Sequence, residues 1–290
     1  MEKLPKLSVQ DIVNMKEGES KITMLTAYNY PFAKILDEME IDIILVGDTL
    51  GMVEHGNPTT LPVTLEESIC ATKAVARGAT SHSLVIGDLP FLTFGVSIEK
   101  TVENAGRLAK EGNAEAIKLE GGRERATEIT AIMEIGLPVM AHIGLTPQSI
   151  YKFGGFKVQG TTEIAAKRLI EDAKIVEKAG AFSLVLEAIP WQLGKYITEM
   201  LTIPTIGIGA GPYCDGQVLV TYDMLGFFEE FKPKFVKRYA NLKATVKEAV
   251  LQYREEVRKG KFPTIDEFSY HGPASEQKFF EKLATRKKLT

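Results

Sequence analysis

The feature that most constrains the fold is a short apolar strand pattern that recurs along the chain and ends each time in a polar residue. Near-continuous apolar strands separated by helical patterns are typical of a parallel sheet that is buried on both faces. Their regular alternation favours a (β/α)₈ barrel over an open sheet, with an active site at the carboxyl ends of the strands. The clearest cases are Ile43–Val46 before Asp48, Leu84–Ile86 before Asp88, Ala116–Leu119 before Glu120, Val139–Ala141 before His142, and Leu184–Leu186 before Glu187.

The whole set of predicted strands spans most of the chain. Val218–Val220 is a weaker eighth candidate, because this short run also fits a helix. The other seven are Lys21–Ala27, Ile41–Val46, Leu84–Ile86, Ala116–Leu119, Pro138–His142, Phe182–Leu186 and Pro204–Ile208.

Helical patterns and two long loops lie between these strands. Gly51–Thr64 and Leu145–Gly160 are rich in Gly or Pro, and loops of this length are usually lids or binding loops. In the helix Tyr30–Met39, we expect a buried face made of Phe32, Ile35, Leu36 and Met39. The predicted helices are Ser8 to about Lys16, Tyr30–Met39, Leu65 to about Arg77, Ser97–Glu111, Arg123–Ile135, Glu163–Ala179 and Trp191–Leu201.

No linker composition divides the chain, so we predict one α/β domain over residues 1–290. Its core is a (β/α)₈ TIM barrel over about residues 20–240, preceded by a helical N-terminal addition. A charged helix, Ala240–Lys259, and a polar tail form a C-terminal addition over about residues 241–290.

Composition and charge argue against several classes of protein. The 35 basic and 38 acidic side chains give a net charge of −3, which leaves no basic excess for a nucleic acid. Cys70 and Cys214 do not form a disulfide framework or a zinc site, as expected in a reducing compartment. Met1–Pro5 lacks the apolar core of a signal peptide, and no apolar run approaches the ~20 residues that span a bilayer. We therefore expect a cytoplasmic protein without a membrane partner.

Two opposite charges share one face of the strand that begins at Ala116. Successive strand residues point to opposite faces, so Lys118 and Glu120 lie on one face and Ile117 and Leu119 on the other. If this strand were considered alone, an exposed ion pair at a sheet edge would be a sufficient explanation for the two charges. The recurrence of polar strand ends favours instead the carboxyl end of a barrel.

Asp48, Asp88 and Glu120 end three consecutive strands, which are neighbours in a barrel. Three carboxylates at one point repel each other unless a cation lies between them, and hard oxygen donors suit Mg²⁺. Each acid alone could equally cap a helix or bind backbone amides. Their occurrence on consecutive strands favours the metal site.

Three further residues indicate the chemistry. Lys118 would bind an anionic substrate such as a carboxylate, or balance Glu120. His142 could donate a hydrogen bond to the substrate, or be structural. Burial of Glu187 would raise its pKa toward that of a general base, although it could also be an acid at the start of a helix. The combination suits proton abstraction next to a carbonyl, with the metal and Lys118 stabilising the enolate.

Two other motifs are poorly supported. Gly207–Gly211 follows a strand as a dinucleotide loop would, but Pro212 replaces the third glycine of that fingerprint. A tight turn at the end of the seventh strand explains it better. No serine lies in a G-x-S-x-G elbow, which argues against a serine hydrolase.

Several long motifs, in order between about Leu25 and Tyr239, resemble the ketopantoate hydroxymethyltransferase (3-methyl-2-oxobutanoate hydroxymethyltransferase) family. Their number and order make the resemblance far more specific than any single short pattern. They are Leu25–Tyr28, Val46–Met52, Thr60–Thr64, Gly87–Phe91, Lys118–Gly122, His142–Gln148, Phe153–Gly160, Gly207–Gly211 and Asp215–Val220.

The resemblance implies a phosphoenolpyruvate/pyruvate-type barrel with one Mg²⁺ per subunit. It also implies transfer of the one-carbon unit of 5,10-methylenetetrahydrofolate to 3-methyl-2-oxobutanoate. The product would be 2-dehydropantoate, for pantothenate and coenzyme A synthesis. Members of this family form large homo-oligomers, often decamers, so a homo-oligomer is implied as well.

Residues that match the family's functional positions fall into three groups. Glu187 matches the proposed proton acceptor and is the implied catalytic residue. The implied metal set is Asp48 and Asp88, as direct ligands, and Glu120, which reaches the metal through water. The implied substrate-binding set is Asp48, Thr49, Asp88, Lys118 and His142.

Three positions depart from the common pattern of the family. Thr49 replaces a serine, which keeps the hydroxyl and adds a methyl group. Phe156 stands where tyrosine is common, and Tyr222 stands where histidine is common. No function is assigned to the tail beyond Phe268.

Three other readings compete with this one. A lyase or mutase of the wider phosphoenolpyruvate/pyruvate barrel group would share the metal-enolate chemistry. It is disfavoured by the Lys118–Gly122 motif and the lack of a clear catalytic cysteine loop. A non-catalytic keto-acid or folate binding protein would not need Glu187 as a base. A structural protein would not need three acids at one end of a barrel.

Overall fold

A computed structural model of the protein describes residues 5–229 and 233–285. The chain divides into two compact units at Tyr239–Ala240, close to the predicted end of the barrel core. The assignment of both units to a single domain over residues 1–290 stays a prediction. Residues 1–4, at the start of the predicted domain, and residues 286–290 of the predicted tail lie outside the described residues.

Eight parallel strands of the first unit form a closed barrel in sequence order, which confirms the (β/α)₈ prediction. The weak eighth candidate is a strand that begins and ends slightly earlier than expected. The strands are β1 (Ile22–Thr26), β2 (Ile43–Val46), β3 (Leu84–Asp88), β4 (Ala116–Glu120), β5 (Val139–Gly144), β6 (Ser183–Glu187), β7 (Thr205–Ile208) and β8 (Gly216–Leu219).

Helices precede, connect and follow these strands. The helices of the first unit are α1 (Val9–Asn14), α2 (Tyr30–Glu38), α3 (Leu50–Val53), α4 (Leu65–Gly78), α5 (Ile98–Gly112), α6 (Ala126–Glu134), α7 (Ile150–Phe153), α8 (Glu163–Lys178), α9 (Trp191–Met200) and α10 (Thr221–Met224). Those of the second unit are α11 (Leu242–Arg258), α12 (Ile265–Phe268) and α13 (Gln277–Thr285).

Side-chain caps begin several helices where the sequence predicted them. Thr64 and Glu67 form a capping box at α4, in which each side chain satisfies a backbone N–H of the other residue. Ser8 caps α1, and Thr162 caps α8 by accepting a backbone N–H in the first turn. These caps explain why the predicted starts of the helices agree closely with the observed ones.

Two predicted loops contain short helices. Helix α3, which begins at Leu50, extends into the stretch 51–64, and a 3₁₀ turn (Pro147–Ser149) with α7 lies within 145–160. Each is about one turn long, and so short a segment shows no hydrophobic period. The expectation that 51–64 contains neither strand nor helix was therefore wrong at its start. Both stretches remain long connections beside the carboxyl end of the barrel.

The predicted buried face of α2 is also wrong in part. Ile35 and Met39 are 54% and 67% exposed, whereas Ala33 and Leu36 are buried. The buried side of the helix includes Asp37, whose carboxylate accepts four backbone N–H groups from residues 80–83. This polar interaction rotates the buried face away from the position that hydrophobicity alone predicts.

The glycine-rich run Gly207–Gly211 forms a turn after β7. Gly209 and Gly211 have φ angles of 69° and 89°, a left-handed conformation that favours glycine. The chain then enters β8 within a few residues. The run is therefore a tight turn of the barrel, as expected, and does not open a helix.

The barrel interior is apolar in its lower layers and charged at its carboxyl end. Ile86 and Met140 belong to the interior apolar cluster. Asp88 and His142 lie two residues further along the same strands, so strand alternation points them into the same interior. Leu119 packs outside the barrel with the helices. The alternation of inward-pointing and outward-pointing side chains that was predicted for β4 therefore also holds for β3 and β5.

The second unit consists of α11, α12, α13 and a 3₁₀ turn among its described residues. No helix in residues 5–229 or 233–285 is long and apolar enough to cross a membrane. The cytoplasmic location and the homo-oligomer stay predictions.

Candidate active site

All seven residues that the sequence singled out line one small cavity at the carboxyl end of the barrel. We call it the acid cavity, and its volume is about 50 Å³. Thr49 lies at its edge. Asp48 follows β2, Asp88 ends β3, Lys118 and Glu120 lie in β4, His142 lies in β5, and Glu187 ends β6.

The register of the sheet explains which charges meet. Asp88 is paired with Lys118 across β3 and β4, and Glu120 is paired with His142 across β4 and β5. Neighbouring strands lie about 4.8 Å apart, so inward-pointing side chains at paired positions are close enough to interact. The strand register therefore places each of two acids, Asp88 and Glu120, beside a basic residue of the next strand.

Lys118 is a buried cation held by carboxylates. Its Nζ donates to both oxygens of Asp88, at 2.9 and 2.8 Å, and lies 3.9 Å from Glu120 Oε1. Burial by itself would lower the pKa of Lys118, but the charges of Asp88, Glu120 and Asp48 outweigh burial and raise it. Lys118 is therefore protonated and suited to binding an anion.

Asp48 makes no ion pair within the described residues, in contrast to Asp88. Its backbone N–H donates to Asp88 Oδ2 at 3.3 Å, and its own Oδ2 accepts a hydrogen bond from Gln148. Burial, followed by the charges of Asp88 and Glu120, raises the pKa of Asp48 to about 8. The acid cavity thus contains more negative charge than Lys118 alone balances.

His142 lies between two acids. Its Nδ1 is 3.6 Å from Glu120 Oε1, and its Nε2 is 3.2 Å from Glu187 Oε2. Neither contact has ideal hydrogen-bond geometry, although both carboxylates are close enough to favour the protonated ring. Burial opposes protonation of His142, but the two carboxylates outweigh it and raise its pKa to about 9. The histidine is therefore a second cation, which links the predicted base to the acid cluster.

Glu187 is the least buried of these charged residues, with 14% of its side chain exposed. The backbone around it is unusual. Ala188 has φ of 48°, and Gly144 has φ of 98° where an added Cβ would lie 2.2 Å from the carbonyl oxygen of Glu187. Residues held in such conformations cluster at functional sites. This tight approach of β5 to β6 fixes the position of the Glu187 backbone.

Gln148 is a site residue to which the sequence assigned no role. Its backbone N–H donates to Glu120 Oε2 at 3.0 Å, and its Nε2 donates to Asp48 Oδ2 and to the Leu89 carbonyl, both at 2.9 Å. This one residue therefore orients two of the three acids, Asp48 through its side chain and Glu120 through its backbone N–H. The motif His142–Gln148 contained it, but no sequence spacing shows that a loop amide folds back onto β2 and β4.

Thr49 is oriented from the first barrel loop. Its hydroxyl lies 2.7 Å from the hydroxyl of the buried Tyr28, close enough for a hydrogen bond in either direction. Tyr28 belongs to the first of the motifs quoted above, which gave it no role. The contact places the Thr49 hydroxyl beside the acid cavity.

The donor set suits a hard cation, although no metal cage is closed. Within residues 5–229 and 233–285, no three His, Cys, Asp or Glu side chains are arranged so that they could hold a metal ion. The Asp88 oxygens instead face Lys118. The available donors are carboxylate oxygens. Burial and the neighbouring acids raise the pKa of Asp48 to about 8, so a divalent cation would stabilise the ionised form of this carboxylate. The oxygen donors of Asp48, Asp88 and Glu120 suit Mg²⁺ chemically, and the assignment of these three acids as its site stays a prediction.

Solved structures with the same fold define the class of barrel. A phosphonopyruvate hydrolase in complex with oxalate and Mg²⁺ matches with a TM-score of 0.59 at 13% identity, covering 96% of this chain and 97% of that one. A 2,3-dimethylmalate lyase, a member of the PEP mutase/isocitrate lyase superfamily, matches with a TM-score of 0.55 at 14% identity, covering 95% and 98%. The protein has the barrel fold of that superfamily.

Sequence comparison then defines the family. The family model for ketopantoate hydroxymethyltransferase matches residues 6–265. A 3-methyl-2-oxobutanoate hydroxymethyltransferase of Syntrophus aciditrophicus is 54% identical over 90% of this chain and 96% of its own length. One of Clostridium botulinum is 57% identical over 88% and 93%. The chain belongs to the ketopantoate hydroxymethyltransferase family, as the resemblance predicted.

Proposed function

We propose that the protein transfers the one-carbon unit of 5,10-methylenetetrahydrofolate to 3-methyl-2-oxobutanoate, forming 2-dehydropantoate for pantothenate and coenzyme A synthesis. One observation carries this proposal. In a chain of this family, a buried lysine, three carboxylates and a separate glutamate line the same acid cavity. Such a site can bind a small keto acid and remove a proton next to its carbonyl.

In this proposal Mg²⁺ would be held by Asp48 and Asp88, and Glu120 would contribute through a water molecule, as the family resemblance implies. A bound Mg²⁺ would polarise the keto oxygen and stabilise negative charge that develops there. The related fold of phosphonopyruvate hydrolase, which was crystallised with oxalate and Mg²⁺, supports the assignment by analogy of fold alone.

The keto acid would be bound by groups that the barrel already holds in place. Lys118 supplies a buried positive charge for an anionic substrate. Thr49, oriented by Tyr28, supplies a hydroxyl hydrogen bond at the edge of the acid cavity. His142 supplies a second cation that also holds Glu187 in position.

Glu187 would act as the base that removes the C3 proton. It lines both the acid cavity and a larger neighbouring cavity, so a group bound in either one would lie beside its carboxylate. In the overall reaction, the C3–H bond breaks and a bond forms from C3 to the methylene carbon. Both C–N bonds of the folate methylene bridge break, water supplies the hydroxyl oxygen, and tetrahydrofolate leaves.

Proton exchange tests the first half of this reaction. We expect 3-methyl-2-oxobutanoate in D₂O to lose its C3 proton signal in NMR spectra when the protein and Mg²⁺ are present without folate. A chelator should stop the loss, and excess Mg²⁺ should restore it. Addition of 5,10-methylenetetrahydrofolate should then produce 2-dehydropantoate. If neither exchange nor product appeared, the proposed function would be wrong, whereas product without exchange would mean that the base acts only when both substrates are bound.

A change at Gln148 tests the proposed metal site without altering any of its charged residues. Replacing Gln148 with leucine removes the side-chain hydrogen bond to Asp48, so we expect the Mg²⁺ concentration for half-maximal turnover to rise about 10–100-fold. Titration of product formation with Mg²⁺ measures this change. Gln10→Leu, an exposed change on α1, is the control, and equal Mg²⁺ dependence of the two variants would contradict the role of Gln148.

A further inference from the structure

A second cavity adjoins the acid cavity and has no role so far. Its volume is about 630 Å³, whereas the acid cavity measures about 50 Å³. Pockets of this larger size are typical of drug-sized ligands. The two cavities share Thr49, Pro147, Glu187, Ile208 and Val220. A ligand in the larger cavity would therefore lie against the predicted base and beside a keto acid in the smaller one.

The walls of this larger cavity are mainly apolar and aromatic. Met52 and Val158 contribute aliphatic surface, and Phe156, Phe228 and Phe235 contribute rings. Apolar and aromatic walls with few polar groups are the usual lining for a planar organic ligand. The presence of phenylalanine at 156, where the family commonly has tyrosine, makes this wall more apolar in the present chain.

Beside Glu187, the charged residues of this lining are Asp223 and Lys234. Asp223, on α10, is partly buried, and its carboxylate makes no hydrogen bond or ion pair in the part of the chain that the structure describes. Lys234 is exposed. The cavity thus offers an unused hydrogen-bond acceptor, an apolar middle and a cation.

We propose that this larger cavity, the donor cavity, binds the reduced folate, with Asp223 accepting two parallel hydrogen bonds from its pterin ring. This inference rests on the proposed function, which needs a folate next to the acid cavity. A pterin carries a ring N–H beside an exocyclic amine, and a carboxylate accepts such a pair in parallel. The benzoyl ring suits the phenylalanine walls, and the glutamate carboxylates suit Lys234.

The charge state of Asp223 agrees with an acceptor role. Burial raises the pKa of Asp223 to about 6, and the charge of Arg238 opposes the rise. At pH 7.5 the carboxylate is therefore mainly ionised and can only accept hydrogen bonds. A pterin brings the donors that this group lacks.

Replacement of Asp223 with alanine tests the pterin contact. We expect the KM for 5,10-methylenetetrahydrofolate and the Kd for tetrahydrofolate, measured by calorimetry, to rise about 10–100-fold. The KM for 3-methyl-2-oxobutanoate and the rate of folate-free C3 proton exchange should change less than twofold. A merely structural defect would alter these two quantities as well.

The same contact can be tested by changing the ligand in place of the protein. Tetrahydrofolate in which the 2-amino group is replaced by methyl should bind the wild type about tenfold or more weakly than tetrahydrofolate. It should bind Asp223→Ala no more weakly than tetrahydrofolate does. Equal penalties for the amino-group change in both proteins would overturn the assignment of Asp223.

Two controls separate the possible failures. Glu103→Gln, on the exposed side of α5, should leave folate binding unchanged. Asp223→Asn keeps the size of the side chain, and an affinity for tetrahydrofolate like that of the wild type would also overturn the inference. If the wild type itself showed no proton exchange and no product, the proposed function would fail first. If the wild type showed exchange and product but Asp223→Ala had an unchanged KM for the folate, the inference about Asp223 would be refuted and the proposed function would stand.

Discussion

Replacing Glu187 with glutamine is expected to lower C3 proton exchange of 3-methyl-2-oxobutanoate by about 10²–10⁴-fold, the usual contribution of a general base. Product formation should fall to the same extent, because both need the proton to be removed. The glutamine keeps the shape of the side chain and remains beside His142. Binding of the keto acid in the presence of Mg²⁺, measured by calorimetry, should therefore change little.

The control for this variant is Glu124→Gln, an exposed acid in the loop after β4. It should exchange the C3 proton at the wild-type rate. Retention of fast exchange by Glu187→Gln, with an unchanged melting temperature, would remove Glu187 from the role of base. Loss of exchange together with loss of keto-acid binding would show that Glu187 has a binding role instead.

Much of the site could be predicted because it depends on strand periodicity. Alternation placed Lys118 and Glu120 on one face of β4, and both are buried inside the barrel. The positions of Asp88 and His142 follow from the same rule, because the carboxyl ends of parallel barrel strands meet. The pairs Asp88–Lys118 and Glu120–His142 then depend on the register, which a single sequence does not reveal.

The parts that could not be predicted come from loops and from competition between charges. Gln148 reaches Asp48 and Glu120 from a turn whose path no hydrophobic period describes. Asp223 stands in a short helix after the weakest predicted strand, so its approach to the donor cavity had no sequence signal. His142 appeared as a lone strand-end histidine, and its contacts with two acids depend on how three strands pack.

Asp48→Asn is expected to stabilise the metal-free protein while abolishing its activity. Burial and repulsion from Asp88 and Glu120 raise the pKa of Asp48 to about 8 from an ordinary value of 3.8. Since the folded state then binds more protons than the unfolded state, wild-type stability falls as the pH rises from about 4 to about 8. Asparagine removes the charge and can still accept the hydrogen bond from Gln148. At pH 8.5 with a chelator, we expect the free energy of unfolding to increase by roughly 1–3 kcal/mol.

Urea unfolding at pH 6 and at pH 8.5 measures this difference, which should be smaller at the lower pH. The same change at Asp88 is the matched contrast, because Asp88 is the direct partner of Lys118. Burial raises the pKa of Asp88 as well, but Asp88→Asn also removes the ion-pair partner of Lys118. Because that buried cation is then left uncompensated, the variant should on balance be less stable than the wild type. Mg²⁺ should stabilise the wild type and neither variant. Loss of stability in Asp48→Asn, or equal stabilisation of it by Mg²⁺, would contradict the view that Asp48 carries the excess charge that the metal neutralises. Opposite signs at these two proposed metal ligands would show that the charge of Asp88 also stabilises the fold through Lys118, whereas the charge of Asp48 lowers the stability of the metal-free protein.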